Sequence, residues 1–502
     1  MINMSKEKLS LTKQSQILIL GQALSFAFNF LVPVVVVRFF NVSEYGVYKQ
    51  LFLVIMTVTV ILPFGIAESL YYFIPRNKDN QQHYIFQTVG FLFLAGALFL
   101  GIMLFRGKSI LSSLNLGELN EYVVTLSLYI VFMCISLPLE RILVSRERVK
   151  LSSSVTVISE VLKGICIVSA TVLTRDLKVV MNLLVGFSVL RMAAFFYYLA
   201  SSNLMFFSIG KLDTKRLKEQ LRYSLPFGFA VVVATIRRFF HQYLISFYFA
   251  ARDFAIYSVG VFQLPLMNVI YTTVSNVALI RISECHQKKE YGKIIEIWLN
   301  SSRKLALIYF PVTLLFILSS KEFITIFFTD QYLDSIPFFI VTLLQLPVDV
   351  FITHSILKAY NENRYILHLN IIALIMTSIL VFALTKKFGM LGATAGTSFS
   401  YAFVRILEIV KIKKLIDVTF SRLVPWKIFI RILLACLMCG TATLIVRNLE
   451  LFGSVQLLFV TELLLFSIMY LLIIYFNGIL TTGEKEDIKK IIYKLNPVFF
   501  LK

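Results

Sequence analysis

The sequence predicts an all-α polytopic membrane protein with about 14 transmembrane helices, and its composition carries this prediction. Of 502 residues, 58% are hydrophobic and only 15% are charged, whereas soluble domains have about 45–50% apolar and about 25% charged residues. At about 20 residues per membrane-spanning helix, the apolar residues suffice for on the order of 14 spans. We therefore do not expect an ordinary soluble enzyme.

The apolar residues are grouped into fourteen runs of membrane-spanning length. In chain order they are 17–37, 50–73, 84–105, 121–144, 152–173, 179–200, 222–248, 254–280, 303–319, 335–357, 366–385, 389–410, 427–447 and 455–476. An even number of spans places both termini on one side of the membrane. The connections on that side hold about three times as many Lys and Arg residues as the opposite set, so we expect both termini to be cytoplasmic. No small-residue cleavage site follows the first run, which we interpret as a retained helix.

The net charge of +21 comes from 49 Lys and Arg residues against 28 Asp and Glu residues. The basic residues lie mostly between the apolar runs, as in cytoplasmic loops of membrane proteins, so nucleic acid is not expected as a partner. The strongest contributors are Lys211, Lys215, Arg216, Lys218, Lys288, Lys289, Lys293, Lys411, Lys413 and Lys414. No connection is long enough for an extramembrane domain, so the function is expected to lie within the membrane.

An internal repeat relates the two halves of the chain. The segment Phe40–Tyr48 after the first run matches Phe249–Tyr257 after the seventh, at an offset of 209 residues. The same offset relates Pro138-Leu139-Glu140 to Pro347-Val348-Asp349. Ordered matches at one offset indicate that a unit of six helices was duplicated.

Because six is an even number, both copies enter the membrane in the same orientation, and the pseudo-two-fold axis should lie along the membrane normal. We therefore predict an N-terminal six-helix lobe at 1–210 and a C-terminal six-helix lobe at 211–415. Residues 416–502 are expected to form an appended helix pair and a cytoplasmic tail.

Ionisable side chains inside the spans are candidate functional residues, because each costs at least about 2.5–3.5 kcal/mol in the hydrocarbon layer. Cations outnumber acids among them, which favours a water-filled cavity that binds an anion, such as a diphosphate, by charge-assisted hydrogen bonds. The candidates for this cavity are Lys163, Arg191, Arg237, Arg238 and Arg141. The candidates for binding a coupling ion are Glu160, Asp349, His354 and His241.

Structural roles are open for several of these residues. Glu160 and Lys163 are three residues apart on one helix face, as are Arg405 and Glu408, so each pair can neutralise itself. Arg141 can reach the cytoplasmic headgroups along its apolar stem. Arg237 and Arg238 point about 100° apart on a helix, so only one of them would face a narrow cavity squarely. His241 is either a proton site or a packed, hydrogen-bonded side chain. Asp349 and His354 lie close to one helix face, where they could form a relay for a proton or another cation.

Motifs for catalysis or cofactor binding are missing from the sequence. It has no GxxxxGK[ST] phosphate loop, no HExxH and no GxSxG, so we expect no catalytic residue, metal or cofactor. Cys436 and Cys439 form a CxxC spacing within an apolar run, and we interpret them as packing residues. Eight prolines lie in or at the ends of the runs and permit kinks of the kind that a moving membrane protein uses: Pro33, Pro63, Pro138, Pro226, Pro265, Pro311, Pro337 and Pro347.

Four segments resemble those of polysaccharide flippases of the O-antigen type. They are RFFNVSEYGVY at 38–48 with the helix after it, the stretch 253–284, FFTDQYLDSIPFFIVTLL at 327–344 and the stretch 359–403. In this order they cover most of residues 15–415. These flippases belong to the multidrug/oligosaccharidyl-lipid/polysaccharide exporter superfamily, and the last two runs are similar to the extra pair of its fourteen-helix branch.

The resemblance implies two six-helix lobes around a cationic cavity in a bacterial inner membrane. It implies that a polyprenyl-diphosphate-linked oligosaccharide moves from the cytoplasmic to the outer leaflet by alternating access, coupled to a proton or sodium gradient. Membrane lipid and polysaccharide assembly proteins are the further partners implied. Related flippases of peptidoglycan precursors carry cations in the middle of spans 1 and 2. The sequence predicts no such cations in its first two spans.

Two other functions remain as alternatives. A multidrug exporter of the same superfamily would favour acidic residues in the cavity, for which Glu160, Asp349 and Glu462 are available. A membrane-embedded glycan polymerase or acyltransferase would need a large external loop or a His/Asp/Arg cluster at a membrane face. Neither feature is evident in the sequence.

Overall fold

A computed structural model of the protein describes residues 21, 24–25, 28–204, 213–449 and 453–486. Within these ranges the regular elements are helices, and twelve of them are long and apolar enough to cross a membrane. They are α1 (Val42–Ile61), α2 (Gln81–Ser113), α3 (Gly117–Ser145), α4 (Val149–Thr174), α5 (Leu177–Ser201), α6 (Thr214–Tyr248), α7 (Leu266–Gln287), α8 (Tyr291–Leu318), α9 (Asp330–Val350), α10 (Asn363–Ile416), α11 (Trp426–Asn448) and α12 (Val455–Phe476). Residues 17–20, 22–23 and 26–27 of the first predicted run, 17–37, and Lys211 lie outside the described residues.

Helix α10 contains two of the predicted runs, 366–385 and 389–410. Its backbone turns at Gly389, where φ is 60° and ψ is −144°, a conformation that glycine alone adopts without strain. After this turn a Cβ at Gly392 would lie 2.0 Å from the Leu384 carbonyl oxygen, so only a glycine permits the two halves of α10 to pack this closely. The twelve helices thus account for thirteen of the fourteen predicted runs.

The second predicted run, 50–73, has wrong boundaries. Helix α1 begins at Val42, because the Asn41 side chain accepts a hydrogen bond from the Glu44 N–H (2.9 Å) and the Glu44 carboxylate accepts one from the Asn41 N–H (3.0 Å). This reciprocal capping satisfies N–H groups that the first helical turn leaves unpaired. The helix ends at Ile61, just before Pro63, which has no N–H to continue the ladder.

The eighth predicted run, 254–280, is wrong as a single helix. The structure has a short helix, Ala251–Gly260, then a break, and then the helix Pro265–Gln287, which contains the span α7. Proline fits the first turn of a helix, whereas its ring disfavours a helical conformation for the residue before it. The break therefore falls at the position that Pro265 dictates.

The predicted repeat is visible in the backbone. Helix α1 starts at Val42 and the short helix starts at Ala251, which are equivalent positions of the two copies. The residues before them, Asn41 and Ala250, have nearly the same conformation, with φ, ψ of −68°, 166° and −69°, 163°. The two helices also pack against each other, and a Cβ at Gly46 would lie 1.9 Å from the Ala251 carbonyl oxygen.

The described residues fall into two compact units. The first lies within Met1–Val269 and Leu367–Thr397, and the second within Ile270–Ile366 and Ser398–Lys502. Large apolar side chains are exposed on their helices, such as Phe105 at 89%. An apolar exterior of this kind is expected for helices that contact lipid. The division into lobes at 210/211 and 415/416 stays a prediction.

The segment after α12 is attached to α8 by an ion pair. Arg303 is 5% exposed, and its guanidinium contacts both carboxylate oxygens of Glu484, at 2.5 and 3.0 Å. Burial alone would raise the pKa of the Glu484 carboxyl, but hydrogen bonds from Arg303 and Thr481 outweigh this and lower the pKa from 4.5 to about 2. The ion pair thus stabilises the fold at neutral pH.

We expect a Glu484→Gln variant to be less stable than the wild type at pH 7 by about 1–2 kcal/mol, since water partly screens this pair. A lowered pKa contributes stability above the ordinary value of 4.5, and this contribution disappears as the pH falls toward about 2. Thermal unfolding in detergent over this pH range should show the difference shrinking. A Glu118→Gln variant is the control, because Glu118 makes no ion pair in the described part of the chain. A pH-independent difference for Glu484→Gln would contradict the prediction.

Candidate functional site

The first unit contains a group of four charged side chains, here called the first cluster: Glu68, Glu140, Arg141 and Arg191. Arg191 on α5 contacts Glu140 on α3 at 2.9 Å, and Arg141 contacts the other oxygen of Glu140 at 3.2 Å. Arg141 also contacts Glu68 at 2.8 Å. The helical segment that carries Glu140 and Arg141 restarts at Pro138 within α3. With two acids and two arginines, the first cluster is electrically balanced.

The second unit contains an equivalent group, here called the second cluster, of Asp349, Arg405, Glu408 and His354. Arg405 on α10 contacts Asp349 at 2.9 Å and Glu408 at 3.0 Å. Glu408 also accepts a hydrogen bond from the Thr353 hydroxyl (2.5 Å) and lies 3.3 Å from His354 Nε2. The side chains of Arg405 and Glu408 are only 6% and 5% exposed. The second cluster brings together Asp349 and His354, which the sequence analysis had placed near one face.

One ion pair of each cluster has its acid at an equivalent position of the repeat. Glu140 and Asp349 are matched by the repeat offset, and each contacts an arginine on a later helix at 2.9 Å. Arg191 and Arg405 occupy the sixth and twelfth predicted spans. Each copy therefore has a tie between its fourth and sixth helices, although the two arginines are 214 residues apart and so are not matched by the offset of 209.

Three of the five predicted cavity cations have carboxylate partners. Lys163 pairs with Glu160 one turn away on α4, so these two residues neutralise each other. Arg141 and Arg191 belong to the first cluster. A neutralised cation attracts an anionic ligand less strongly. Their role in an anion-binding cavity stays a prediction.

The remaining two predicted cations lie on α6. Arg238 is exposed and has neither an ion pair nor a hydrogen bond within the described residues, while Arg237 is half-buried. His241, one turn further, is buried, and its Nδ1 lies 2.7 Å from the Tyr257 hydroxyl. This contact is the one that the packed, hydrogen-bonded alternative predicts, and a role of His241 in ion coupling stays a prediction.

Lys49 is a cation that the sequence analysis missed. It lies inside α1, about 10 Å from the helix start, where its ammonium group is 5.4 Å from the centre of the Tyr45 ring. It forms no ion pair with a described carboxylate. The capping pattern of Asn41 and Glu44 would have located the start of α1 and placed Lys49 inside the span.

A third charged group joins the appended helices to the second unit. Arg447 on α11 contacts Glu322 at 2.5 Å and Glu462 on α12 at 2.8 Å. Glu462 is fully buried and accepts a further hydrogen bond from Ser319 (2.7 Å). These contacts give Glu462 a structural role. Among the described residues, no three His, Cys, Asp or Glu side chains are arranged to hold a metal ion, and Cys436 and Cys439 are free thiols buried in α11.

Three solved structures have the same fold. The lipid II flippase MurJ, inward closed, is similar over 92% of this chain and 97% of its own, with 15% identity and a TM-score of 0.70. An inward-facing multidrug resistance transporter of the MATE family in the MOP superfamily matches 79% of this chain and 94% of its own, with 16% identity and a TM-score of 0.62. A MOP superfamily transporter from Pyrococcus furiosus matches 82% and 97%, with 14% identity and a TM-score of 0.58.

These likenesses confirm the predicted fold class, an all-α membrane protein with the two-lobe architecture of such transporters. At identities this low they show the fold alone. No curated protein sequence is similar enough to count as a match. The family model of polysaccharide biosynthesis proteins, however, matches residues 35–337. Because this match covers more than half of the sequence, the chain belongs to the polysaccharide biosynthesis protein family.

Proposed function

We propose that this protein is a flippase that moves polyprenyl-diphosphate-linked oligosaccharide units from the cytoplasmic to the outer leaflet of a bacterial inner membrane. It does so by ion-coupled alternating access and supplies surface polysaccharide biosynthesis together with polysaccharide assembly proteins. Family membership and the transporter fold support this proposal. The likeness to the lipid II flippase MurJ adds a precedent for a lipid-linked glycan as the cargo of this fold.

The observation that carries the substrate class is that two cations on adjacent helices have no carboxylate partner among the described residues. Lys49 lies on α1 and Arg238 on α6, and these helices contact each other through a hydrogen bond from the Gln50 side chain to Ser246 (2.8 Å). An unpaired cation inside a membrane needs water or an anionic ligand to offset its desolvation. A diphosphate supplies that charge and accepts charge-assisted hydrogen bonds.

The same contacts disfavour an exporter of cationic drugs. The acids available for such a cavity, Glu160, Asp349 and Glu462, each contact a basic side chain in the structure. Their charge is therefore already offset, whereas no carboxylate in the described part of the chain offsets that of Arg238. We expect transport without a catalytic residue or a cofactor.

We expect Arg238→Ala to lower the surface polysaccharide of a complemented deletion strain about tenfold or more, because hydrogen bonds to charged groups contribute about 1.5–3 kcal/mol. Lipid-linked glycan should accumulate in the cytoplasmic leaflet, which leaflet-resolved labelling measures. Arg238→Lys keeps the charge and should retain most of the activity.

The matched control is Arg252→Ala, which removes one positive charge from an exposed position at the start of the short helix. It should leave polysaccharide levels unchanged. The proposal fails if the Lys49→Ala/Arg238→Ala double variant, at equal expression, supports wild-type levels. A deletion strain with normal glycan and raised drug sensitivity would favour the exporter instead.

A further inference from the structure

The two clusters differ in their balance of charge. The first cluster pairs two glutamates with two arginines, whereas the second has Asp349 and Glu408 with Arg405 as the only arginine. Lys411, which is nearby in sequence, is engaged with Glu362 at 2.9 Å. With a neutral His354, the second cluster therefore carries one excess negative charge among the described residues.

The other groups that face the two carboxylates do not remove this excess. The titratable and charged groups around Asp349 and Glu408 are Arg405, His354, Tyr271, Tyr309, Tyr365, Tyr401, Lys411 and Glu362. The tyrosines contribute neutral hydroxyl groups, and the hydroxyl of Tyr401 donates to Asp349. His354 is the remaining group in this set that can supply a positive charge.

Burial makes the excess charge costly. The side chain of Glu408 is 5% exposed and that of Asp349 is 25% exposed, and an uncompensated charge in such surroundings is strongly unfavourable. A metal cation fits poorly, because the Arg405 guanidinium already lies between the two carboxylates and would repel it. A proton needs no such space, and His354, at 40% exposure, lies at the open edge of the cluster.

We propose that His354 and Glu408 bind one proton, which is shared between the imidazole Nε2 and the carboxylate and makes the second cluster neutral. No bond other than that to the proton forms or breaks. If the proposed flippase function holds, this site identifies the coupling ion as a proton. The shared proton would weaken the hold of Glu408 on Arg405 within α10. It would strengthen the tie between Glu408 and His354, which lies on the short helix Thr353–Ala359 after α9.

The first copy of the repeat lacks this site. Ser145 stands at the position equivalent to His354, and Ala194, three residues after Arg191, replaces the glutamate that follows Arg405 at the same spacing. The shared ion pair is therefore common to both copies, whereas the pair of His354 and Glu408 is an addition to the second. This asymmetry provides a control within the same chain.

Infrared difference spectroscopy of the full-length protein in liposomes tests the proposal, with the proton itself as the probe. Between about pH 8 and 5, where most carboxylates stay ionised, the wild type should show a titrating carboxyl or imidazolium band. The band should disappear in His354→Gln/Glu408→Gln, and His354→Gln alone should move its midpoint by about one pH unit or more. Glu140→Gln, in the first cluster, should leave the midpoint unchanged.

His354 is partly exposed, so His354→Gln is expected to fold even if variants of Glu408 do not. A band unaffected by His354→Gln would overturn the proposal, and so would a band that sodium suppresses at constant pH. Because no glycan is needed, the result is independent of the flippase proposal. Normal surface polysaccharide in a deletion strain would refute that function and leave the proton site standing.

Discussion

Replacing Gly46 by alanine is expected to destabilise the protein by at least about 2–3 kcal/mol, against the usual preference of helices for alanine over glycine. The added Cβ would lie 1.9 Å from the Ala251 carbonyl oxygen and 2.5 Å from its carbon. Both are backbone atoms, so no side chain can rotate to make room. Helix α1 and the short helix Ala251–Gly260 would have to separate, which would open a buried contact between equivalent elements of the two copies.

Gly90 provides the matched control. It lies in the interior of α2, and a Cβ there would meet no atom within 4 Å. Gly90→Ala should therefore stabilise the protein by up to about 1 kcal/mol through helix propensity alone. Thermal unfolding of both variants in the same detergent should give shifts of opposite sign. Equal shifts would show that the close approach at Gly46 does not limit stability.

Arg405→Met is expected to destabilise the protein by about 3–5 kcal/mol, because it leaves the buried carboxylate of Glu408 and the partly buried carboxylate of Asp349 without their shared cation. The loss should be smaller at low pH, where protons neutralise both acids. The triple variant Asp349→Asn/Arg405→Met/Glu408→Gln removes all three charges and should recover most of the stability.

The control for this series is Lys178→Met, which breaks an ion pair of similar length, 2.8 Å to Glu121, with side chains that are 58% and 65% exposed. Water screens such a pair, so thermal unfolding should detect no change. If Arg405→Met were as mild as Lys178→Met, the second cluster would not be the buried, charge-sensitive site described above.

Local spacing allowed some of the site to be predicted from the sequence. The pairs Glu160–Lys163 and Arg405–Glu408 were expected because residues three apart meet on one helix face, and both are present. Lys49 was missed because the start of α1 was placed eight residues late, although Asn41 and Glu44 carried the signal for the correct start.

The sequence by itself determined the class of protein, most of the helical runs and the duplication. These follow from properties that each segment carries alone, since a run of apolar residues in a bilayer must satisfy its backbone hydrogen bonds internally as a helix. Repeated segments likewise fold alike, as the matching starts of α1 and the short helix show.

Only the tertiary structure decided which charges neutralise each other. Glu140 and Arg191 are 51 residues apart, and Arg303 and Glu484 are 181 residues apart. No periodicity within a helix predicts such pairs, because they depend on which helix faces pack together. Packing therefore joined Arg141 and Arg191 to glutamates and left Arg238 without a described partner. It also gave the second cluster the excess negative charge that a proton can balance.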